Sequence, residues 1–231
     1  MRFSTHFIFP GMLMLGFSPA VFADLSSTVT LGSNYLFNGI TLTQDDPAVQ
    51  PSLDWVSESG WYLGTWGSNV SFVDDTDIEV DFYTGYYTDL GGNWGLDLGV
   101  AHYTYYGSSE SSAFDYPEAY IKVSYENTKL SYWYASDYFG AGGGHYIIML
   151  TQTVQLTENV SLILSGDRST STDTDKFLRD TDGTYHHWRV ALAGDWLGAR
   201  WTAAFDDTDL ALDDLGEATF SLSVAKTFHW F

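Results

Sequence analysis

Serine, histidine and acidic residues are the side chains most often used in covalent catalysis, and this chain has few arrangements of them. His145, Ser136 and Asp137 flank one glycine-rich stretch, which is the nearest approach to a serine-histidine-acid site. All three types are common beside loops, so chance juxtaposition is the simpler interpretation. His186 and His187 are adjacent and alternate between strand faces, so one strand cannot offer both to a metal ion. Without a nucleophile elbow, zinc motif or phosphate loop, we expect no enzyme, no cofactor and no metal site.

The charge of the chain is strongly negative. Thirty Asp and Glu against nine Lys and Arg give −21, and residues 24–231 alone have −22 because Arg2 is the only charged residue before them. Nucleic acid is excluded as a partner, since binding its backbone requires clustered basic residues. Zero cysteines exclude a disulfide framework and a zinc-thiolate site.

The first 23 residues have the pattern of a secretory signal peptide. Arg2 precedes an apolar run over residues 7–17, and small residues lie one and three places before Asp24. Cleavage is therefore predicted between Ala23 and Asp24, leaving residues 24–231 as one domain. The run is too short to span a bilayer, which disfavours the alternative of a membrane anchor.

Residues 24–231 predict strands instead of membrane helices, because no window offers the roughly 20 consecutive apolar residues that a membrane helix requires. Apolar and polar residues alternate instead, as in Trp94-Leu96-Leu98 and Leu130-Tyr132-Tyr134. We expect Tyr62, Trp66, Val70 and Phe72 to face outward, whereas residues 145–156 are apolar on both faces. Twelve strands are predicted, near residues 25–38, 49–57, 61–73, 77–89, 93–106, 116–125, 128–138, 145–156, 159–168, 184–193, 196–206 and 218–229.

The connections between these strands alternate in length. Every second connection is tight, as at residues 58–60 and 126–127, and the others are longer or richer in acid and glycine, as at residues 39–48 and 169–183. Short periplasmic turns and long outer loops are typical of bacterial outer-membrane barrels, whereas a soluble β-sandwich has no reason to separate its loops in this way. The last strand, with Phe220, Leu222 and Phe228 on one face, is predicted to pair with the first and close the ring.

Three stretches of the chain resemble a known family, and the resemblance runs the length of residues 24–231. The similarity is to the TorF-type outer-membrane porin family. It is carried by Thr28-Val29-Thr30-Leu31-Gly32-Ser33-Asn34-Tyr35-Leu36-Phe37-Asn38-Gly39-Ile40, by Trp66-Gly67-Ser68-Asn69-Val70 and by Ser136-Asp137-Tyr138-Phe139-Gly140. The resemblance implies an outer-membrane channel without naming a solute. Asn38 departs from it, because an arginine is more usual there, and so does the tail after Phe228. We also expect the last strand to be recognised by the barrel-assembly machinery.

Successive side chains of a strand alternate between its two faces, and this alternation predicts two charged surfaces in the lumen. The expected acidic wall is Asp54, Glu79, Asp81, Asp97 and Glu118, and the expected basic wall is Lys122, Lys129, Arg189 and Arg200. On one interpretation the two signs cross-link a nearly filled barrel. On the other they create a transverse field across a water-filled constriction, which would favour small dipolar or zwitterionic solutes. A sugar-stacking channel would need inward aromatics, and only Tyr103, Tyr105 and Trp133 have the required parity.

The fold class expected is an all-β, transmembrane antiparallel barrel of about twelve strands in the bacterial outer membrane. The expected function is a porin-like channel for passive diffusion of small polar or zwitterionic solutes. Two alternatives remain open: a barrel enzyme acting on lipid or lipopolysaccharide, and a closed structural or adhesive barrel. Dense acids in residues 169–183 and 206–217 could bind Ca²⁺ or bridge to lipopolysaccharide, although solvated loops are the simpler interpretation because neither segment has EF-hand spacing.

Overall fold

A computed structural model describes residues 24–72, 75–180, 182–210 and 216–230. The predicted signal peptide, which ends at Ala23, lies outside these residues. So do Phe231 and the loop acids Asp213 and Asp214. No helix in the described parts of the chain is long and apolar enough to cross a membrane.

The chain forms a closed antiparallel barrel of twelve strands, so the predicted fold class is confirmed. The barrel strands are β1 (Asp24–Gly32), β4 (Ala48–Val56), β5 (Trp61–Asn69), β6 (Ile78–Gly91), β7 (Trp94–Tyr106), β8 (Tyr116–Tyr125), β9 (Thr128–Ala135), β10 (His145–Gln155), β11 (Val160–Ser171), β12 (Thr184–Trp196), β13 (Ala199–Thr208) and β14 (Thr219–His229). Each pairs with its neighbours in sequence, and β1 also pairs with β14 from Ser26↔His229 to Gly32↔Ser223. The sheet therefore has no free edge.

The two faces of the barrel wall differ in the way that alternation predicts. Leu63, Leu150 and Leu222 are 53–54% exposed on the outer face, and similar side chains line the outside of every strand around the ring. The intervening residues face the barrel interior and are mostly buried or half-buried. Large contiguous apolar surfaces are rare on water-soluble proteins, so this exterior matches an apolar surrounding.

The predicted orientation of β5 was wrong. Tyr62, Trp66 and Val70 are buried, whereas Trp61 and Leu63 are exposed on the outer face. Phe72, which was expected to face outward with them, is half-buried against Tyr105. The aromatic residues point inward because the lumen offers them partners: the Tyr62 hydroxyl donates to Asp97 at 2.5 Å, and the Trp66 ring contacts Tyr35 at 5.3 Å between centroids. In β10, the ambiguous strand, Ile147 and Met149 face inward while Ile148 and Leu150 face outward.

Glycine and tyrosine alternate across neighbouring strands inside the barrel. Tyr83 lies opposite Gly64, Tyr62 opposite Gly85, and Tyr120 opposite Gly99. A Cβ added at Gly64, Gly85 or Gly99 would come within 2.3–2.5 Å of the facing tyrosine ring or its hydroxyl. The absence of a side chain at these glycines is therefore what lets the tyrosine rings lie against the wall.

The two ends of the barrel are unlike, as the loop lengths predicted. Tight turns close one end, at residues 57–60, 92–93, 126–127, 156–159 and 197–198. The long connections lie at the other end, and three of them contain short elements: the strands β2 (Leu36–Phe37) and β3 (Ile40–Thr41) and the 3₁₀ turns η1 (Ser111–Phe114) and η2 (Tyr138–Gly140). We refer to these as the short-turn end and the long-loop end.

We predict that Gly99→Ala destabilises the barrel by about 1–3 kcal/mol, because the added methyl group overlaps the Tyr120 ring at 2.4 Å. Gly166→Ala on β11 is the matched control, since the nearest atom to its added Cβ is 3.8 Å away. The measurement is the unfolding midpoint of each refolded variant in detergent. Equal midpoints for the two variants would contradict the steric role of Gly99.

Candidate functional site

The five acids expected in the lumen lie inside the barrel, on β4, β6, β7 and β8. Asp54, Glu79, Asp81, Asp97 and Glu118 are each no more than 9% exposed. Tyrosine hydroxyls donate to four of them: Tyr83 to Asp54, Tyr62 to Asp97 at 2.5 Å, Tyr103 to Glu118 at 2.8 Å and Tyr105 to Glu79 at 3.3 Å. These carboxylates are thus packed among aromatic rings, and this half of the lumen is filled by side chains.

The two lysines lie next to these acids and do not form a separate wall. Lys122 on β8 is paired in register with Asp97 on β7, and its ammonium is 3.8 Å from the Asp97 carboxylate. The same ammonium lies 3.8 Å from the centre of the Tyr120 ring. Lys129 on β9 is also buried. The expectation that acids and bases occupy different walls was therefore wrong here, because a buried charge requires a partner close by.

Arg189 belongs to a second charged cluster, on β11 to β13. Its Nη1 lies 2.9 Å from both oxygens of Asp206. His187 joins two carboxylates, with Nδ1 2.6 Å from Asp167 and Nε2 3.0 Å from Asp206. The side chains of His187, Asp167 and Asp206 are at most 3% exposed, whereas that of Arg189 is 30% exposed. Arg200, near the start of β13, lies outside this cluster and contacts Asp195 at 3.1 Å.

The first long connection folds into the barrel. Its strands β2 and β3 pair through Phe37↔Ile40 around Asn38 and Gly39, which have φ of 48° and 82°. Asn38 and Ile40 are only 2–3% exposed. A Cβ at Gly39 would meet Thr208 at 2.4 Å and the His187 ring at 2.7 Å, so the tip of this inner hairpin (residues 36–41) rests against the wall.

Aromatic residues from several loops form a cluster at the long-loop end. The Phe72 ring contacts Tyr105, Phe114 and Phe139, with centroids 5.4–6.2 Å apart. Tyr138 of η2 stacks on His145 at 4.2 Å. Burial raises the pKa of Tyr138 well above its usual value, so its hydroxyl adds no charge. The cluster holds loops from different strands together above the filled half of the lumen.

A cavity of about 160 Å³ remains in the other half of the lumen, beside the inner hairpin. Apart from Arg189, Arg200, His187 and Asp206, the described residues that line it are uncharged. The wall consists mainly of small or polar side chains from β1, β4 and β10 to β14, among them Thr30, Gln50, Thr151, Ser165, Ala191, Thr202, Ser221, Ser223 and Ala225. This cavity is open space within the barrel interior. None of the five expected acids and neither lysine lines it.

The residues considered for catalysis do not assemble as the sequence suggested. His145 Nε2 lies 2.7 Å from Ser169 instead of Ser136, and both partners are at most 3% exposed. The other nitrogen, Nδ1, is buried without a hydrogen-bond partner, so this pair lacks an orienting acid. Among the described residues, no group of three His, Asp or Glu side chains is arranged to hold a metal ion.

Two features of the lumen were missed from the sequence. Asn38-Gly39 follows Leu36-Phe37 and precedes Ile40, which is a strong signal for a two-residue hairpin. The strand pattern instead predicts the end of a strand at residue 38, followed by a loop. Asp167, His187 and Asp206 have inward parity on three consecutive strands, but only the register of those strands shows that they meet. Tyr103, Tyr105 and Trp133 do face inward and are largely buried, so they fill space in the lumen.

Comparisons with known proteins place the fold among porins. A family model described as a bacterial protein of unknown function (Gcw_chp) matches residues 17–228. The structure is similar to the NanC porin, at 11% identity and a TM-score of 0.57 with 90% of this chain and 100% of that chain covered. It is similar to the KdgM porin at 8% identity and a TM-score of 0.56, with 89% and 99% covered. A comparison with curated proteins found no match.

We predict that Lys122→Met destabilises the barrel by about 3 kcal/mol, because Asp97 then remains buried without its cation. The double variant Lys122→Met/Asp97→Asn removes both charges and should recover most of this loss. Denaturant unfolding of the refolded proteins measures the free energy of unfolding of both variants. Lys226→Met, at an exposed lysine, is the control. A double variant no more stable than Lys122→Met alone would argue against this pairing.

Proposed function

Since the chain belongs to the Gcw_chp family of bacterial proteins of unknown function, we propose its function from the barrel itself: a porin-like channel of the bacterial outer membrane. It passes small polar solutes by diffusion and performs no turnover chemistry. The short-turn end faces the periplasm and the long-loop end faces outward. The resemblance to TorF-type porins agrees with this at the level of the porin fold, and the finer family assignment stays a prediction.

One observation supports this proposal most directly: a closed ring of strands is apolar outside and encloses open space that polar and charged side chains partly line. Backbone groups can cross hydrocarbon in strands only if every edge is paired, and the β1–β14 pairing achieves this. The exposed exterior aromatics Trp94, Trp188 and Trp201 suit the girdles that such barrels place at the membrane surfaces. A cavity that is lined partly by polar side chains also suits a channel for small polar solutes.

The inner hairpin and the tyrosines determine the width of the proposed passage. Twelve strands enclose a lumen wider than that of an eight-stranded barrel, which side chains fill. In this barrel, tyrosine and acidic side chains fill one half of the lumen, and the inner hairpin narrows the open half. The passage therefore admits only small solutes. The second candidate, a closed structural barrel, is favoured by this same filling. Ion conductance separates the two, because a sealed barrel passes no current.

The proposed partners follow from the exterior and the last strand. Lipid contacts the apolar outer face, and lipopolysaccharide adjoins the acidic long loops, where divalent cations could bridge the two. The barrel-assembly machinery would recognise β14, whose pairing with β1 completes the ring. The lipid-enzyme alternative is not favoured, because the His145–Ser169 pair lies beneath Tyr138 and Phe177 and lacks an acid.

We predict that residues 24–231, purified and reconstituted into liposomes, admit small polar solutes at rates that fall steeply with solute size. Liposome swelling with a graded series of neutral sugars and zwitterionic amino acids measures this. Heat-denatured protein in the same vesicles is the control. No swelling with any solute, together with no single-channel current, would favour the closed structural barrel.

We predict that replacing residues 36–41 by a glycine-serine linker of equal length raises single-channel conductance and its noise. The linker cannot replace the buried side chains of Asn38 and Ile40, so the constriction opens. The matched control places glycine and serine at residues 173–176, which do not line the cavity. Unchanged conductance in the hairpin variant would show that the hairpin does not limit the passage.

A further inference from the structure

The charges that face the cavity differ from those of the whole lumen. Asp54, Glu79, Asp81, Asp97 and Glu118 outnumber Lys122 and Lys129, but none of these seven lines the cavity. Four of the acids accept hydrogen bonds from tyrosine hydroxyls within the filled half. If the summed charge of the lumen decided which ions enter, cations would be preferred. The open space itself, however, is lined by Arg189, Arg200, His187 and Asp206.

The carboxylate among these four is turned into the wall. Asp206 has a side chain only 2% exposed, and its oxygens are occupied by Arg189 and His187. Asp167, behind His187, is fully buried. Arg189 contacts Asp206 through Nη1, and its side chain is 30% exposed, so its other guanidinium nitrogens can face the cavity. Arg189 is therefore the charged group of this cluster that is most exposed to the cavity, and Asp206 and Asp167 lie behind it.

Arg200 provides a second cation at the other end of the cavity. It lies six residues before Asp206 on β13, with the same inward parity, which is about 20 Å along the strand. Its partner Asp195 is 59% exposed at the short-turn end and does not line the cavity. Between the two arginines the wall is made of small neutral residues, including Thr202 and Ala191. A solute that crosses the cavity thus passes one guanidinium after the other.

We propose that this passage is selective for small anions, carboxylates among them, and that Arg189 and Arg200 determine the preference. The inference rests on the proposed channel function. The physical reason is distance: in a narrow space between low-dielectric walls, the charges at the surface act on a solute with little screening. The paired acids of the filled half act from further away. Guanidinium groups also match the planar geometry of carboxylates through two parallel hydrogen bonds.

The test is the reversal potential of single channels of the full mature chain in a potassium chloride gradient. We expect a sign that corresponds to chloride permeating faster than potassium. Arg200→Gln should shift the potential toward cation preference. Arg189→Gln should shift it further, because it also uncovers Asp206, and Arg189→Gln/Asp206→Asn should lie between that variant and the parent. Lys226→Gln, the same charge change on the outer face, should leave the potential unchanged.

The outcomes separate this inference from the function on which it rests. Absence of current in the parent would reject the channel itself. Current with a cation-selective parent, or with a reversal potential that neither arginine variant shifts, would reject anion selection and retain the channel. Potassium acetate in place of chloride tests the carboxylate class, and we expect a measurable acetate current that Arg189→Gln reduces. Heat-modifiable migration on gels verifies that each variant is folded.

Discussion

Closure of the strand ring is the constraint on which the rest of the structure depends. In hydrocarbon an unpaired backbone amide or carbonyl has no water to bond, so an open sheet edge would cost several kcal/mol for each group. The pairing of β1 with β14 removes both edges that an open antiparallel meander would leave. It also fixes the alternation, because a ring has one inside and one outside. Every lumen residue owes its position to that closure.

Within the ring, the packing of the inward side chains divides the lumen into a filled half and an open half. Inward glycines on β5, β6 and β7 face tyrosines on adjacent strands, and the flat rings bring their hydroxyls to the buried carboxylates. A carboxylate without such a donor would be costly to bury. On β10 to β14 the inward positions are mostly small, as at Ala191, Ala204 and Ala225. The same barrel is therefore solid on one side and open on the other.

This division explains why the total charge is a poor guide to the passage. The acids behind the charge of −21 lie mostly in loops, in turns and in the lumen half that side chains fill, whereas Asp167 and Asp206 are buried beside the cavity. The inner hairpin adds uncharged residues to the open half, where the resemblance to TorF-type porins implies an arginine at position 38. Asn38 instead adopts φ of 48°, a conformation that asparagine tolerates better than arginine does. The cations left in the open half are those of β12 and β13.

The sequence by itself determined the number of barrel strands, their approximate bounds, the end at which each loop lies and the face to which most side chains point. These features follow from a period of two and from turn residues, both of which are local. It failed at β5, where Tyr62 and Trp66 are as compatible with lipid as with a tyrosine-lined lumen, so hydrophobicity alone could not assign the face. The sequence also placed Lys122 and Arg189 together in one basic wall.

Tertiary structure alone decided which inward residues meet and where space remains. The Asp167–His187–Asp206 contacts depend on the register of three strands, and a shift of one residue in any pair would abolish them. The inward fold of residues 36–41 depends on the free volume beside His187 and Thr208, which no local pattern encodes. Parity states which way a side chain points, whereas the contents of the lumen depend on the packing of all twelve strands at once.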